Sequence, residues 1–220
     1  PNLAAAYDTA DRTSTAYVTA SISFVAGRTY LLGIRGRVSS GAPSIGSVTG
    51  GGNTWTLVQT VNAANVSIWL YRCIAATTTS GAISITPDGI TTWTQAGWIV
   101  DEFAGARHSQ NSIVQSATAV QTASHTTLVV TLAAFKSGAN AAYGFFAHNE
   151  DTALTAGSGF TDLGAAAEPT ENANRMKSIW KSGEDLSVDI TSAATASDVF
   201  GIAVEVTAEG VAIDATSKSG

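Results

Sequence analysis

A ten-residue stretch occurs twice in this 220-residue chain and restricts the folds that the chain can adopt. Phe24–Gly33 returns 111 residues later as Phe135–Gly144, with one Phe and two Gly at matching positions. The same shift carries Ser67–Trp69 onto Ser178–Trp180, and shorter shifts of 105 and 103 residues relate later segments. The matching segments keep the same order along the chain, but the shift between them changes. This pattern predicts two copies of one β unit whose loops differ in length.

Apolar residues alternate with polar ones in many short segments. In Tyr17–Phe24, every second residue is apolar, which is the period of a half-buried strand. Thr29–Val38 and Val66–Ile74 are further strands, and Gly-rich turns separate such segments about every ten residues. Ala165–Met176 contains Pro169 and mostly polar residues, so we expect a loop with at most one helical turn. The chain is predicted to be all-β, an antiparallel β-sandwich or jelly roll with internal duplication.

The repeat also predicts the domain organisation. Residues 1–13 are expected to form an N-terminal arm, and residues 211–220 a C-terminal tail. Between them lie a first β-sandwich unit, 14–107, and a second, 108–210, each of about 100 residues. The pattern leaves open whether these are separate domains or one fused sandwich.

Composition and charge argue against two classes of partner. Only 13% of residues are charged, yet no apolar run approaches the roughly 18 residues of a membrane span. Residues 1–110 carry six Arg and five acidic residues, whereas residues 111–220 carry five basic and twelve acidic residues. The acidic second half would repel phosphates, so neither nucleic acid nor a membrane is an expected partner.

The sequence predicts no catalytic residue, metal ligand or cofactor. The three histidines are isolated from one another, and Gly157-Ser158-Gly159 lacks the strand-to-helix context of a hydrolase nucleophile. Asp101 and Glu102 are neighbours on a strand and should point to opposite faces, whereas glycoside hydrolysis needs both carboxyls on one substrate. Glu102 recurs as Glu205, which favours a structural hydrogen bond in each copy.

Four other features could belong either to the fold alone or to a binding or reactive site. The segment from His148 to Asp151 offers oxygen ligands for Ca²⁺, but its spacing matches no calcium loop, so solvated turn residues are preferred. Trp93, beside a turn, is the tryptophan that we would suspect of exposure for sugar stacking, although a core position is favoured over it. Trp69 and Trp180 match in the repeat and are expected in the core. Cys73 lies in an apolar run and is expected to be a small buried hydrophobe.

The outward positions of the strands are mostly Thr and Ser, and few Lys are available to protect sheet edges. Such faces can pack closely without removing water from ions. This favours a subunit of a repetitive assembly, whose edges are covered by neighbours or by the arm.

Five segments carry a resemblance to a known group of proteins. They are Gly50–Val58, Ser67–Arg72, Trp98–Gly105, Gly157–Leu163 and Ile202–Val206. These segments resemble the β-sandwich modules of tailed-phage structural proteins, which occur in head-decoration, head-fibre and tail-fibre proteins. The resemblance runs from about Ser14 to Ala208 and rests on turns and core positions, so it implies a fold and carries over no catalytic residue.

The resemblance and the surface together lead to an expected function. The chain is expected to be a non-enzymatic virion protein, assembled in the host cytoplasm, that decorates the capsid as part of an oligomeric array. Its first half would contact the major capsid protein or another virion protein through Arg35 and Arg37, and the acidic second half would face solvent. The alternative is a carbohydrate-binding tail-fibre or adhesin module that recognises a host-surface glycan. A glycan-active enzyme is the least favoured reading.

Overall fold

The chain is all-β in its computed structural model, which describes residues 1–106, 112–150, 152–167, 175–196 and 198–208. In these ranges 66% of the chain is strand and there is no helix, which confirms the predicted all-β class. The eighteen strands of the described ranges are β1 (Asn2–Asp8), β2 (Tyr17–Val18), β3 (Ile22–Phe24), β4 (Thr29–Val38), β5 (Ile45–Gly50), β6 (Thr56–Ala63), β7 (Val66–Ile74), β8 (Thr79–Gly81), β9 (Ile83–Pro87), β10 (Trp93–Phe103), β11 (Ile113–Gln121), β12 (His125–Thr131), β13 (Ala141–His148), β14 (Leu154–Ala156), β15 (Thr161–Ala167), β16 (Arg175–Ser182), β17 (Ser187–Ala196) and β18 (Val199–Val206).

Two five-stranded antiparallel sheets form the centre of the molecule. The first large sheet has the order β1-β10-β4-β7-β6, and the second has the order β11-β18-β13-β16-β15. The small sheet β2-β9-β5 and the pair β3-β8 cover the outer side of the first, and the small sheet β12-β17-β14 covers the second. The molecule is therefore a stack of four β layers, in which two sandwiches lie back to back.

Three hydrophobic cores separate the four layers, because both large sheets are apolar on both faces. On β4, Tyr30 and Leu32 point into the core of the first sandwich, whereas Leu31 faces the second large sheet. On β13, Phe146 points into the core of the second sandwich and Phe145 faces the first large sheet. Successive residues of a strand point to opposite sides, so one apolar strand contributes to two cores. The core between the large sheets is called the middle core below, and it joins the two halves into one fused structure.

The two halves have the same strand order and pack with approximate two-fold symmetry. In that order β1 corresponds to β11, and β6 corresponds to β15. Across the middle core β1 packs against β15 and β6 packs against β11. A two-fold rotation that exchanges the two halves therefore converts the β1–β15 contact into the β11–β6 contact. The same relation holds between the two subunits of an isologous dimer.

The residue matches of the sequence repeat do not follow this structural correspondence. Ile68 lies in the middle core, but its match Ile179 lies in the core of the second sandwich. Trp69 points into the first sandwich, whereas Trp180 packs against the middle core. A slip of one residue moves a side chain to the other face of its sheet. The predicted equivalence of Trp69 and Trp180 is therefore wrong, and duplication of the sequence itself stays a prediction.

Residues 2–8, predicted as part of an arm, form the edge strand β1 of the first large sheet. The strand pairs with β10, from Asn2 opposite Asp101 to Asp8 opposite Ala96. Its small residues show no clear apolar and polar alternation, so the sequence signal is weak. Backbone hydrogen bonds to β10 nevertheless hold this segment in the sheet. Its place in the sheet assigns β1 to the first half.

Most other differences from the predicted strands concern short edge elements. β4 and β7 have the predicted bounds. The predicted strand Tyr17–Phe24 is divided into β2 and β3, and the predicted connection 39–53 contains β5. Ala165–Ala167, predicted as part of a loop, completes β15 by pairing with β16, and residues 168–174 lie outside the described ranges.

Candidate interaction surfaces and buried polar clusters

The two arginines predicted as assembly residues lie in different environments. Arg35 is fully buried; its Nη1 donates to Gln95 Oε1 at 2.6 Å and its Nη2 donates to Asn149 Oδ1 at 2.6 Å. The Nδ2 of Asn149 in turn donates to Asp198 Oδ2 at 3.0 Å. Arg35 therefore connects the two halves and does not face a partner. Arg37, half-buried near the end of β4, is the member of the pair that a partner could reach.

The segment considered for Ca²⁺ begins with a buried histidine. His148 is 0% exposed, and its Nε2 lies 2.8 Å from the backbone oxygen of Thr152. Burial, together with the nearby guanidinium groups of Arg35 and Arg175, lowers the pKa of His148 to about 4, although the hydrogen bond to the Thr152 oxygen opposes this shift. His148 is thus a neutral core residue and not a solvated turn residue. Asp151, at the end of the segment, lies outside the described residues.

The two repeated glutamates hold structural hydrogen bonds, as predicted. Glu102 accepts hydrogen bonds from Arg28 Nη1 at 2.6 Å and from Tyr30 Oη at 2.8 Å. Glu205 accepts a hydrogen bond from the backbone N of Lys136 at 2.8 Å. In both halves the carboxylate ties a central strand to the chain segment that leads into its neighbour, β4 or β13. The prediction of a structural role for both residues is confirmed.

Asp101 points to the opposite side of β10 from Glu102, also as predicted. It is fully buried in the middle core and accepts hydrogen bonds from Asn2 Nδ2 at 2.9 Å and from Tyr143 Oη at 3.0 Å. Burial raises the pKa of Asp101, while the hydrogen bonds from Asn2 and Tyr143 oppose this rise. Asp101 and Glu102 lie on opposite sides of the first large sheet and cannot face one substrate together.

Trp93 and Cys73 are core residues. Trp93 is 0% exposed and stacks on Trp69, with ring centroids 5.3 Å apart and planes inclined by 7°. Cys73 is 2% exposed, and burial raises the pKa of its thiol to about 12. The core interpretation of both residues is confirmed, and Trp93 offers no platform for a sugar.

The outer surfaces of the two small sheets carry hydroxyl groups in rows. On the second outer face, Thr127, Thr191 and Thr155 are opposite one another on β12, β17 and β14, and all three are exposed. On the first outer face, Thr49 on β5 is opposite Ser84 on β9. Neighbouring rows pair Thr131 with Ser187, Ser47 with Thr86, Val18 with Ser84 and Val129 with Asp189. Asp189 is the one charged residue of these rows, so both faces can pack against a protein with little loss of ion hydration.

A cleft of about 340 Å³ opens at one end of the middle core. Phe103 and Trp180, one from each half, lie on its walls with ring centroids 6.5 Å apart and planes at 78°. Leu163 and several small residues complete the lining. We call this the Phe103–Trp180 cleft. It has the volume of a small-molecule site or of a socket for side chains of a partner.

Approximate symmetry relates this cleft to a smaller groove of about 240 Å³ on the opposite side of the middle core. Arg72 is opposite the first residue of β6, just as Trp180 is opposite the first residue of β15. Val58 and Leu163 occupy matching irregular positions of β6 and β15. The groove with Arg72 is polar, whereas the Phe103–Trp180 cleft is apolar, so the chain has one such cleft in its described part.

Sequence reasoning missed the Phe103–Trp180 cleft. The repeat matched Trp180 with a core tryptophan, and Phe103 reads as the last residue of a buried strand. A possible signal is the run of small residues Ala104-Gly105-Ala106 directly after Phe103, which leaves space beside the ring.

The described ranges contain neither a metal-binding group nor a membrane-spanning helix. No group of three or more His, Cys, Asp and Glu residues there is placed to hold a metal ion. The same ranges contain no helix that could cross a lipid bilayer. Comparisons of the chain with protein-family models, curated proteins and solved structures found no match.

Proposed function

We propose that this protein is a non-enzymatic structural subunit of a phage virion and decorates the capsid surface. The observation that carries the proposal is the pair of hydroxyl-bearing outer faces on a four-layer stack. Nearly uncharged faces can pack on a lattice of neighbours, and three hydrophobic cores keep the two faces in a fixed relation. The sequence resemblance to tailed-phage modules supports the same assignment.

The arrangement of charged residues supports a structural role over a catalytic one. Asp101 and Glu102 both hold hydrogen bonds within the fold, and Glu205 does the same in the second half. Arg35 links the halves. These groups stabilise the stack, which suits a subunit that must stay rigid on a particle.

The first half is the proposed docking side. It carries the near-neutral charge balance, the half-buried Arg37 and the first outer face, while the acidic second half would face solvent. Close packing on the capsid would involve the Thr49 and Ser84 row. A carboxylate of the capsid protein opposite Arg37 would complete the contact.

Electron microscopy of native particles from the source tests this proposal. We expect regular density on the capsid lattice that accommodates the four-layer stack. Density confined to the tail tip would instead favour the carbohydrate-binding tail-fibre module and would overturn capsid decoration.

Matched variants identify the docking face. Thr49→Arg should lower occupancy on particles severalfold, because it places a charge on the first outer face. Arg37→Glu should also lower occupancy, because it reverses the charge at the end of β4. Thr191→Arg, a matched change on the second outer face, should leave occupancy unchanged. Loss of occupancy with Thr191→Arg alone would reverse the proposed orientation. Arg35→Glu is unsuitable for this test, because it would bury an unpaired charge in the middle core.

A further inference from the structure

An exposed isoleucine lies at the opposite end of β10 from the Phe103–Trp180 cleft. Ile90 is 82% exposed, more than any other large hydrophobic side chain of the described residues. It precedes β10 by three residues, and Phe103 ends that strand. At about 3.3 Å per residue, β10 separates the two features by roughly 30–35 Å.

The turn that carries Ile90 is held in place by hydrogen bonds. The backbone N of Asp88 donates to the Ser44 oxygen at 3.1 Å, and that of Gly89 donates to the Thr13 oxygen at 3.0 Å. Ile90 N itself donates to Asp88 Oδ1 at 2.9 Å. Gly89 has a φ of 84°, which glycine adopts without strain. Ile90 is therefore presented by an ordered turn, and little conformational entropy would be lost if it entered a partner.

The chemistry of the cleft suits an aliphatic side chain. Aromatic walls and a lining of small residues give an apolar surface about 340 Å³ in volume. The one carboxylate at its edge, that of Glu102, already accepts hydrogen bonds from Arg28 and Tyr30. An apolar side chain could enter without leaving a buried charge unpaired.

Neither feature recurs at its symmetry-related position. The groove related to the cleft carries Arg72 where the cleft carries Trp180. The turn between β17 and β18, which corresponds to the Ile90 turn, is shorter: the strands end at Ala196 and begin at Val199. In the described ranges, the most exposed large hydrophobic side chain and the apolar cleft lie at opposite ends of β10, which suits a head-to-tail contact that extends into rings or filaments.

We propose that the Ile90 turn of one copy inserts into the Phe103–Trp180 cleft of the next copy. The contact joins subunits along the direction of β10. One side chain buries too little area to hold two free copies together at low concentration. The contact forms when subunits are already concentrated on a surface, where binding becomes effectively intramolecular. This inference rests on the proposed function only in treating the chain as a repeating subunit.

Cysteine trapping of the purified protein tests the contact without requiring a stable complex. Thr92→Cys, on the Ile90 turn, and Ala104→Cys, at the exposed edge of the cleft, place one thiol on each side of the contact and keep the Ile90 side chain; they are called the Ile90 pair below. Under mild oxidation the double variant should give a ladder of dimers, trimers and larger species on a non-reducing gel. Cys73 is buried and should not take part. A mixture of the two single variants should stop at the dimer, because each chain then has one reactive end.

A matched control separates the proposed contact from random collision. Val18→Cys with Ala104→Cys has the same number of exposed thiols, since Val18 is 52% exposed but lies on the first outer face. The Ile90 pair should cross-link at least tenfold faster. Adding Gly105→Leu, whose side chain begins in open space at the cleft, should abolish this difference.

Equal cross-linking of the Ile90 and Val18 pairs would overturn the proposal. So would an unchanged ladder after Gly105→Leu. Saturable quenching of tryptophan fluorescence by an oligosaccharide that disappears in Trp180→Phe, together with equal cross-linking, would reassign the cleft to a sugar. The assay needs no virion, so its failure leaves the capsid experiment to decide the proposed function by itself.

Discussion

Replacing Gly33 by alanine is expected to destabilise the protein by acting across the boundary between its two halves. Gly33 lies on β4, and a Cβ built on it would be 2.4 Å from Cδ2 and 2.7 Å from Cγ of Phe145 on β13. The Phe145 ring is 0% exposed in the middle core and cannot move into solvent. Either the ring or the two large sheets must therefore shift.

Two opposing effects set the magnitude. Removing a glycine lowers the entropy of the unfolded chain and stabilises by about 0.4–1 kcal/mol. Overpacking a well-packed core costs about 1–3 kcal/mol. Contacts this short place the Gly33→Ala variant at the upper end of that range, so we expect a net loss of about 2–2.5 kcal/mol in the free energy of unfolding.

Urea unfolding followed by circular dichroism and tryptophan fluorescence measures this loss. Gly105→Ala is the matched control, because its Cβ would meet nothing within 4 Å, and it should change stability by less than about 0.5 kcal/mol. In a Phe145→Ala background, Gly33→Ala should cost less than about 0.5 kcal/mol, because the clashing Cγ and ring atoms of Phe145 are gone.

Additivity would refute the reasoning. If Gly33→Ala costs the same with phenylalanine and with alanine at position 145, the two residues are not in contact. The two halves would then not share the middle core at this point.

Three further outcomes follow from buried or strained positions. The pKa of His148 is about 4 in the folded protein, below its ordinary value of 6.5, so the unfolded chain binds the proton first. Stability should be constant above about pH 6.5 and fall by up to roughly 3 kcal/mol toward pH 4; urea unfolding at several pH values measures this, and His148→Gln should flatten the profile. The thiol of Cys73 should react with Ellman's reagent at pH 8 only after urea is added; fast reaction of the native protein would contradict its burial. Ala64 has a φ of 49°, so Ala64→Gly should raise the free energy of unfolding by about 0.5–1 kcal/mol, measured by urea unfolding.

Strands buried on both faces were predictable because their signal is local. β4 and β7 are rich in apolar residues on both faces and are bounded by turn residues, and the structure gives the predicted bounds. The strands that sequence reasoning missed, β1, β5, β8 and β14, are short or rich in small residues. Their hydrogen bonds come from partners far along the chain, which local periodicity does not reveal.

The candidate sites were less predictable than the fold. The structural roles of Glu102 and Glu205 followed from their recurrence in a repeat. The Phe103–Trp180 cleft did not, because it forms only where β10 of one half meets β16 of the other. No residue pattern within β10 or β16 indicates that these two strands lie next to each other.

The sequence by itself determined that this protein is all-β and that neighbouring carboxyls on β10 point apart, and it favoured core positions for Cys73 and Trp93. The all-β class and the opposite directions of the two carboxyls depend on period-two alternation within single strands. Only the tertiary structure decided that Arg35 is buried, that the halves share a middle core, and that the Phe103–Trp180 cleft opens at its end. Alternation shows that a strand has two faces, but what covers each face depends on residues about one hundred positions away.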